Sequence, residues 1–123
     1  MPKCILLVDD NPAIRMALRK FLEINSEFKV CGEASDGLDA IQKAGELRPD
    51  LIILDLSMPR MGGLEAARVL KERMPAVPLI LFTMHAAATN PAEMAEAGID
   101  AVISKTEGLQ TLIDRVHALL EPA

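Results

Sequence analysis

The sequence predicts a doubly wound α/β fold, with five parallel strands in the order 2-1-3-4-5 and a helix after each strand. Three observations carry this expectation. Short apolar runs at 5–8, 51–54, 79–82 and 101–104 have strand length and no alternation, as strands covered on both faces do. Segments of helical period separate these runs, and strands alternating with helices build parallel sheets through right-handed crossovers. One further stretch, 28–34, does alternate. Phe28, Val30 and Ala34 fall on one side, and Lys29, Cys31 and Glu33 on the other. Alternation marks a sheet edge, which is where the 2-1-3-4-5 order puts the second strand.

The bulk numbers agree. At 123 residues, half apolar and a quarter charged, the chain reads as one domain, 1–123, able to close its own core. It has no Trp or Tyr, only three Phe, and a net charge of −5. These features argue against base stacking and against a basic nucleic-acid face. No apolar run reaches bilayer length, and the start Met1-Pro2-Lys3 has no apolar signal core, so the expected location is cytoplasmic. Cys4 and Cys31 are then expected to be two buried free thiols rather than a disulfide.

Each element has its own local reason. The first strand ends in Asp9-Asp10. Asn11-Pro12 then makes an N-cap with proline in the first helical turn. Ile14, Ala17, Leu18, Phe21 and Leu22 form the apolar stripe of the first helix, with Arg15, Arg19 and Lys20 opposite. Ser35-Asp36-Gly37 starts the second helix, whose expected buried stripe is Leu38, Ile41, Ala44 and Leu47. Arg48-Pro49-Asp50 breaks the chain before the strand Leu51-Ile52-Ile53-Leu54, which runs directly into Asp55. Pro59 and Gly62-Gly63 give a loop before a helix burying Leu64, Ala67, Leu70 and Met74. Thr83 stands at the end of the fourth strand. Asn90-Pro91-Ala92-Glu93 starts a short helix over 91–97, stopped by Gly98. Lys105 follows the fifth strand. Thr106 is expected to cap the last helix, with its stripe at Leu109, Leu112, Ile113, Val116, Leu119 and Leu120.

Topology turns these strand ends into a site. In an open α/β sheet, ligands bind outside the carboxyl ends of the strands, where the order reverses between strands 1 and 3. That rim collects Asp9, Asp10, Asp55, Thr83 and Lys105. Crowded carboxylates repel one another unless a cation sits among them. Oxygen donors in this number suit Mg²⁺, which keeps waters and a phosphate oxygen in its shell. An aspartate carboxylate is a known nucleophile for phosphoryl groups, and such transfer depends mainly on positioning and charge neutralisation. No Walker or G-x-G-x-x-G pattern occurs, so Gly62-Gly63 is a flexible loop and not a phosphate cradle.

These residues give the chain its resemblance. Val8-Asp9-Asp10, Leu54-Asp55-Leu56 with Met58-Pro59 and Met61-Gly62-Gly63, Phe82-Thr83 and Ser104-Lys105 together resemble the receiver domain of bacterial two-component response regulators, a flavodoxin-like fold. The resemblance covers nearly the whole length. It implies that Asp9 and Asp10 bind Mg²⁺ with Asp55 and the backbone carbonyl of Ser57. It further implies that Asp55 accepts phosphate from a histidine kinase and that Thr83 and Lys105 contact the phosphoryl group. Residues 32–37 resemble receivers joined to helix-turn-helix output domains, and no output domain is expected within these residues. The expected readout surface is the fourth helix, fifth strand and last helix, with a downstream effector and a second copy of the chain as candidate partners.

Two positions depart from the pattern. Val102 stands where the family commonly carries a switching aromatic, and Thr106 where proline often follows the lysine. Signalling by ring rotation and a cis peptide after Lys105 are therefore not expected. Ser57 and His85 resemble variable positions that tune aspartyl-phosphate lifetime, and His85 is assigned no chemistry. Two other functions compete with a switch that is not itself an enzyme. One is a Mg²⁺-dependent phosphatase acting through Asp55, which lacks a second acid at Ser57 and a cap. The other is a receiver that binds partners without phosphate, against which the intact acid, hydroxyl and lysine set argues.

Overall fold

A computed structural model describes residues 1–121 of the 123. Its elements are β1 (Lys3–Val8), α1 (Pro12–Glu23), β2 (Phe28–Ala34), α2 (Gly37–Leu47), β3 (Leu51–Leu54), α3 (Gly63–Arg73), β4 (Leu79–Thr83), α4 (Pro91–Glu96), β5 (Ala101–Ser104) and α5 (Leu109–Leu120). The five strands pair in parallel in the order β2-β1-β3-β4-β5. Among the described residues no helix is long and apolar enough to cross a membrane.

The sheet divides the core into two layers, and the period-2 pleat assigns each strand residue to one of them. Ile5, Leu7, Leu51, Ile53, Ile80, Phe82 and Ile103 face α1 and α5, where they meet Leu18, Leu22, Leu112, Ile113 and Val116. Leu6, Val8, Ile52, Leu54, Leu79 and Leu81 face the opposite way and meet Ala40, Ala44, Ala66, Ala67, Leu70 and Met94. Burial on both faces explains the unbroken apolar runs. Each fully covered Leu, Ile or Val contributes roughly 1.5–3 kcal/mol of transfer free energy.

Several helix faces differ from the periodic reading. In α2 the covered residues are Gly37, Ala40 and Ala44, while Leu38 and Leu47 are exposed. In α3 they are Gly63, Ala66, Ala67 and Leu70, with Leu64 and Met74 only half-buried. Small residues let these two neighbouring helices lie close to the sheet, so the buried faces are set by alanine and the larger side chains flank them. Asn11 and Asn90 cap α1 and α4 as expected, and proline follows each. Thr106 does not cap α5. Instead Ser104 and Glu107 form a reciprocal capping box on a short 3₁₀ turn over Lys105–Glu107. Gly108, at φ 94°, then starts α5 with no side-chain cap.

Strand β2 departs furthest from expectation. Its pairing with β1 runs Ile5 to Val30 and then Leu6 to Gly32, so Cys31 is an extra residue in the ladder. This is a β-bulge. It breaks the alternation: Phe28 and Val30 lie in the α1/α5 layer, but Ala34 lies in the opposite one. A Cβ at Gly32 would meet Leu47 Cδ1 at 2.5 Å, on the α2 side. Glu33 is thereby turned toward α1.

The bulge also corrects the cysteine expectation. Cys4 and Cys31 form a disulfide between β1 and β2, with Cα atoms 5.4 Å apart, inside the span a disulfide bridges. In strict register Cys4 faces Lys29. The extra residue brings Cys31 within reach, and sequence alternation alone could not show this.

Candidate functional site

Asp9 and Asp55 each sit one residue past the end of a buried strand. Their backbone amides still continue the sheet, Asp9 donating to the Ala34 carbonyl and Asp55 to the Val8 carbonyl, both at 3.0 Å. The two side chains therefore leave the sheet side by side. Asp10 follows directly and is exposed. Carboxylate oxygens of Asp9, Asp10 and Asp55 all lie within 4.8 Å of one another.

Lys105, carried beyond β5, reaches back across the rim. Its ammonium donates to Asp9 Oδ2 at 2.8 Å and to Asp55 Oδ2 at 3.2 Å. Burial pulls the Lys105 pKa down, but the hydrogen bond to Asp9 and the charges of Asp9 and Asp55 outweigh it and hold the amine above its ordinary range. Lys105 is thus a fixed positive charge at neutral pH. The remaining oxygens are also engaged: Asp9 Oδ1 accepts from the Asn11 backbone N–H at 2.9 Å, and Asp55 Oδ1 from that of Leu56 at 2.8 Å.

Thr83 is the last residue of β4 and is fully buried. Its hydroxyl oxygen accepts the His85 backbone N–H at 3.1 Å. Among the described residues no hydrogen bond joins it to Asp55. Val102, in β5, is half-buried against the α2/α3/α4 layer. The peptide after Lys105 is trans, as all are among the described residues.

The loop after Asp55 is held by close backbone contact. Gly63 N–H donates to the Leu56 carbonyl at 2.9 Å. A Cβ at Gly63 would lie 2.0 Å from the Asp55 carbonyl oxygen, so only glycine fits there. Arg60 adopts φ 62°, a left-handed conformation uncommon for side-chain-bearing residues. Its guanidinium pairs with buried Asp36 at 2.6 Å. The Asp39 backbone N–H and Arg60 hold the Asp36 carboxyl below the usual carboxylate range against its burial. The loop carrying Ser57 is thus tied to the start of α2.

The donor set fits a hard divalent cation: three clustered carboxylates with a single counter-charge, all oxygen donors. Sequence reasoning missed the outer support of this cluster. Arg15 donates to the Asp9 backbone carbonyl at 2.6 Å and to Glu33 Oε1 at 2.9 Å, although periodicity puts Arg15 with the solvent-facing charges of α1. The available signal was Gly32, since glycine inside a strand pattern often marks a bulge.

A doubly wound sheet whose carboxyl rim gathers acids around one lysine is the architecture of a phosphoryl-responsive signalling domain. The family model for the response regulator receiver domain matches residues 5–117, and the chain belongs to that family. Phosphorylation and Mg²⁺ are general features of these two-component receivers. The chain is 34% identical over 117 residues to the response regulator protein VraR of Staphylococcus saprophyticus, covering 95% of this chain and 56% of that one. It therefore spans about half the length of the curated relatives it matches. A LuxR-family two-component response regulator from Aurantimonas superposes with a TM-score of 0.89 at 31% identity, covering 98% of this chain and 86% of that one. RcsB from Salmonella enterica serovar Typhimurium, bound to promoter rprA in the presence of phosphomimetic BeF3⁻, superposes with a TM-score of 0.80 at 25% identity, covering 94% of this chain and 66% of that one.

Proposed function

We propose that this chain is a phosphoacceptor switch in which Asp55 takes a phosphoryl group from the phosphohistidine of a histidine kinase. The observation that carries the reading is Lys105, whose ammonium bridges Asp9 and Asp55 from the end of β5, three places in the sheet from β1 and two from β3. A carboxylate oxygen of Asp55 forms the new O–P bond as the donor's P–N bond breaks, and the imidazole leaves. Lys105 is placed to neutralise the charge that develops on the phosphoryl oxygens. Asp9, Asp10, Asp55 and the Ser57 carbonyl would hold Mg²⁺, which supplies further charge neutralisation when bound. Thr83, once released from the His85 N–H, can donate its hydroxyl to the phosphoryl group. That exchange couples the new charge to the segment before α4, giving the two states different contacts, as a population shift requires.

In this reading residues 1–123 act as one receiver unit in the cytoplasm, with the α4–β5–α5 surface as readout to an effector, an output domain or a second copy. Catalysis is confined to slow self-phosphorylation and self-dephosphorylation. Incubation with acetyl phosphate and Mg²⁺ should add one phosphoryl group by intact mass to the wild type and none to Asp55→Asn. Absence of the gain in the wild type would favour a binding module without phosphate, and enzymatic turnover of p-nitrophenyl phosphate would favour a phosphatase.

A further inference from the structure

We propose that Arg15 and Glu33 form a positioning pair that sets the Asp9–Asp10 turn for its divalent cation. The inference rests on reading that turn as a Mg²⁺ site. Asp10 is exposed and makes no side-chain hydrogen bond among the described residues, so its carboxylate depends on the backbone that carries it. The controlling unit is the Asp9–Asp10 peptide plane, whose carbonyl belongs to Asp9. Every other polar group of Asp9 is already committed: its amide to Ala34, Oδ1 to Asn11 and Oδ2 to Lys105. The carbonyl takes the 2.6 Å hydrogen bond from Arg15 Nη1. A planar peptide with its oxygen fixed has its N–H, and the next Cα, fixed with it.

Arg15 is itself held. Its Nε donates to Glu33 Oε1 at 2.9 Å, while Arg19 Nε donates to Glu33 Oε2 at 2.9 Å. The Glu33 backbone carbonyl accepts from the Lys43 ammonium. A guanidinium presents its donors in one rigid plane, so fixing one edge on Glu33 aims the other at Asp9. The β2 bulge makes this arrangement possible. Were the same residues to run from Val30 as a regular strand, Glu33 would lie opposite Val8 and face α2, out of reach of Arg15. Neither side chain bonds to the acidic oxygens, so the pair acts through the backbone and not as ligands.

The test is Mg²⁺ titration by calorimetry on the full chain, for wild type, Arg15→Met, Arg15→Lys and Glu33→Gln. Circular dichroism and urea midpoints verify that each variant is folded. Arg15→Met should weaken Mg²⁺ binding by about tenfold, as loss of an outer-shell partner does. Its phosphorylation rate by acetyl phosphate should return to near wild type at saturating Mg²⁺. Arg15→Lys, which keeps the charge but cannot hold both bonds in one plane, should also bind more weakly, and Glu33→Gln should follow. Simple removal of a nearby positive charge would act the other way and tighten Mg²⁺ binding. Unchanged or tighter binding in folded Arg15→Met overturns the proposal. If that variant does not fold, unchanged binding in both Arg15→Lys and Glu33→Gln does so. A wild type that binds no Mg²⁺ would instead sink the underlying site reading.

Discussion

On the β2–β1–β3 side of the rim, each polar group of Asp9 has a partner, Asp55 is bonded through both carboxylate oxygens, and the following loop closes on Gly63 with no room for a side chain. On the β4–β5 side, Thr83 holds one backbone N–H, a 3₁₀ turn over Ala86–Ala88 follows, and α4 is six residues long. Met94 is the one buried residue within that helix. It is tied to α3 by the exposed Arg68–Glu96 pair. A region with few buried contacts and exposed bonds opens at lower free energy than its neighbours. The contrast suits a switch: one half must hold ligands in place, and the other must yield when those ligands change.

The sharpest way to break the contrast is to disturb the rigid half through its backbone. Gly63→Ala places a methyl against the Asp55 carbonyl, which cannot swing aside as a flexible side chain would. It should cost more than about 3 kcal/mol in urea unfolding and reduce phosphorylation of the fraction that remains folded. Next is the disulfide, which closes a separation of 27 residues within the same half. Reduction, or Cys4→Ser with Cys31→Ser, should lower stability by about 2–3 kcal/mol. Hydrogen exchange should quicken in β2 far more than in β4.

A smaller effect concerns pH. Burial raises the Glu33 pKa, but the hydrogen bonds from Arg19 and Arg15 and their charges hold it below its ordinary value. A carboxylate depressed in the folded state adds stability above its unfolded pKa, and that stability is lost as pH falls through the folded value. Acid unfolding below about pH 4 should therefore be shallower in Glu33→Gln than in the wild type. The smallest effect lies on the yielding side. The Arg68–Glu96 pair is exposed, and its carboxyl and guanidinium shift each other's pKa apart in the usual sense of an ion pair. Arg68→Ala should leave the unfolding midpoint within measurement scatter while speeding hydrogen exchange in α4.

The strand order and the two-layer core were legible because buried strands read as apolar runs. The gathering of Asp9, Asp10, Asp55 and Lys105 was legible through topology, since each residue is an ordinary loop or cap residue by itself and the strand order is what brings them to one rim. The helix faces were less legible. In α2, Ala44 is buried as expected, but Ala40 is covered while Leu38 and Leu47 are exposed, since periodicity weighs large side chains and close helix packing selects small ones. Least legible was anything downstream of the β2 bulge. A register shift is a property of two strands together, so the Cys4–Cys31 bond, the side on which Ala34 lies and the partnership of Glu33 with α1 were all assigned wrongly or missed.

That shift also sets how β2 answers a change in chain length. Loss of the Cys31 codon would let Val30, Gly32, Glu33 and Ala34 alternate strictly, with Glu33 still opposite Leu7 and turned toward α1, so that only the disulfide would go. Gain of a codon between Gly32 and Glu33 would instead set Glu33 opposite Val8, rotate it to the α2 side and strip α1 of its acidic anchor. An insertion in a peripheral strand would then behave genetically like a lesion in the acid cluster itself.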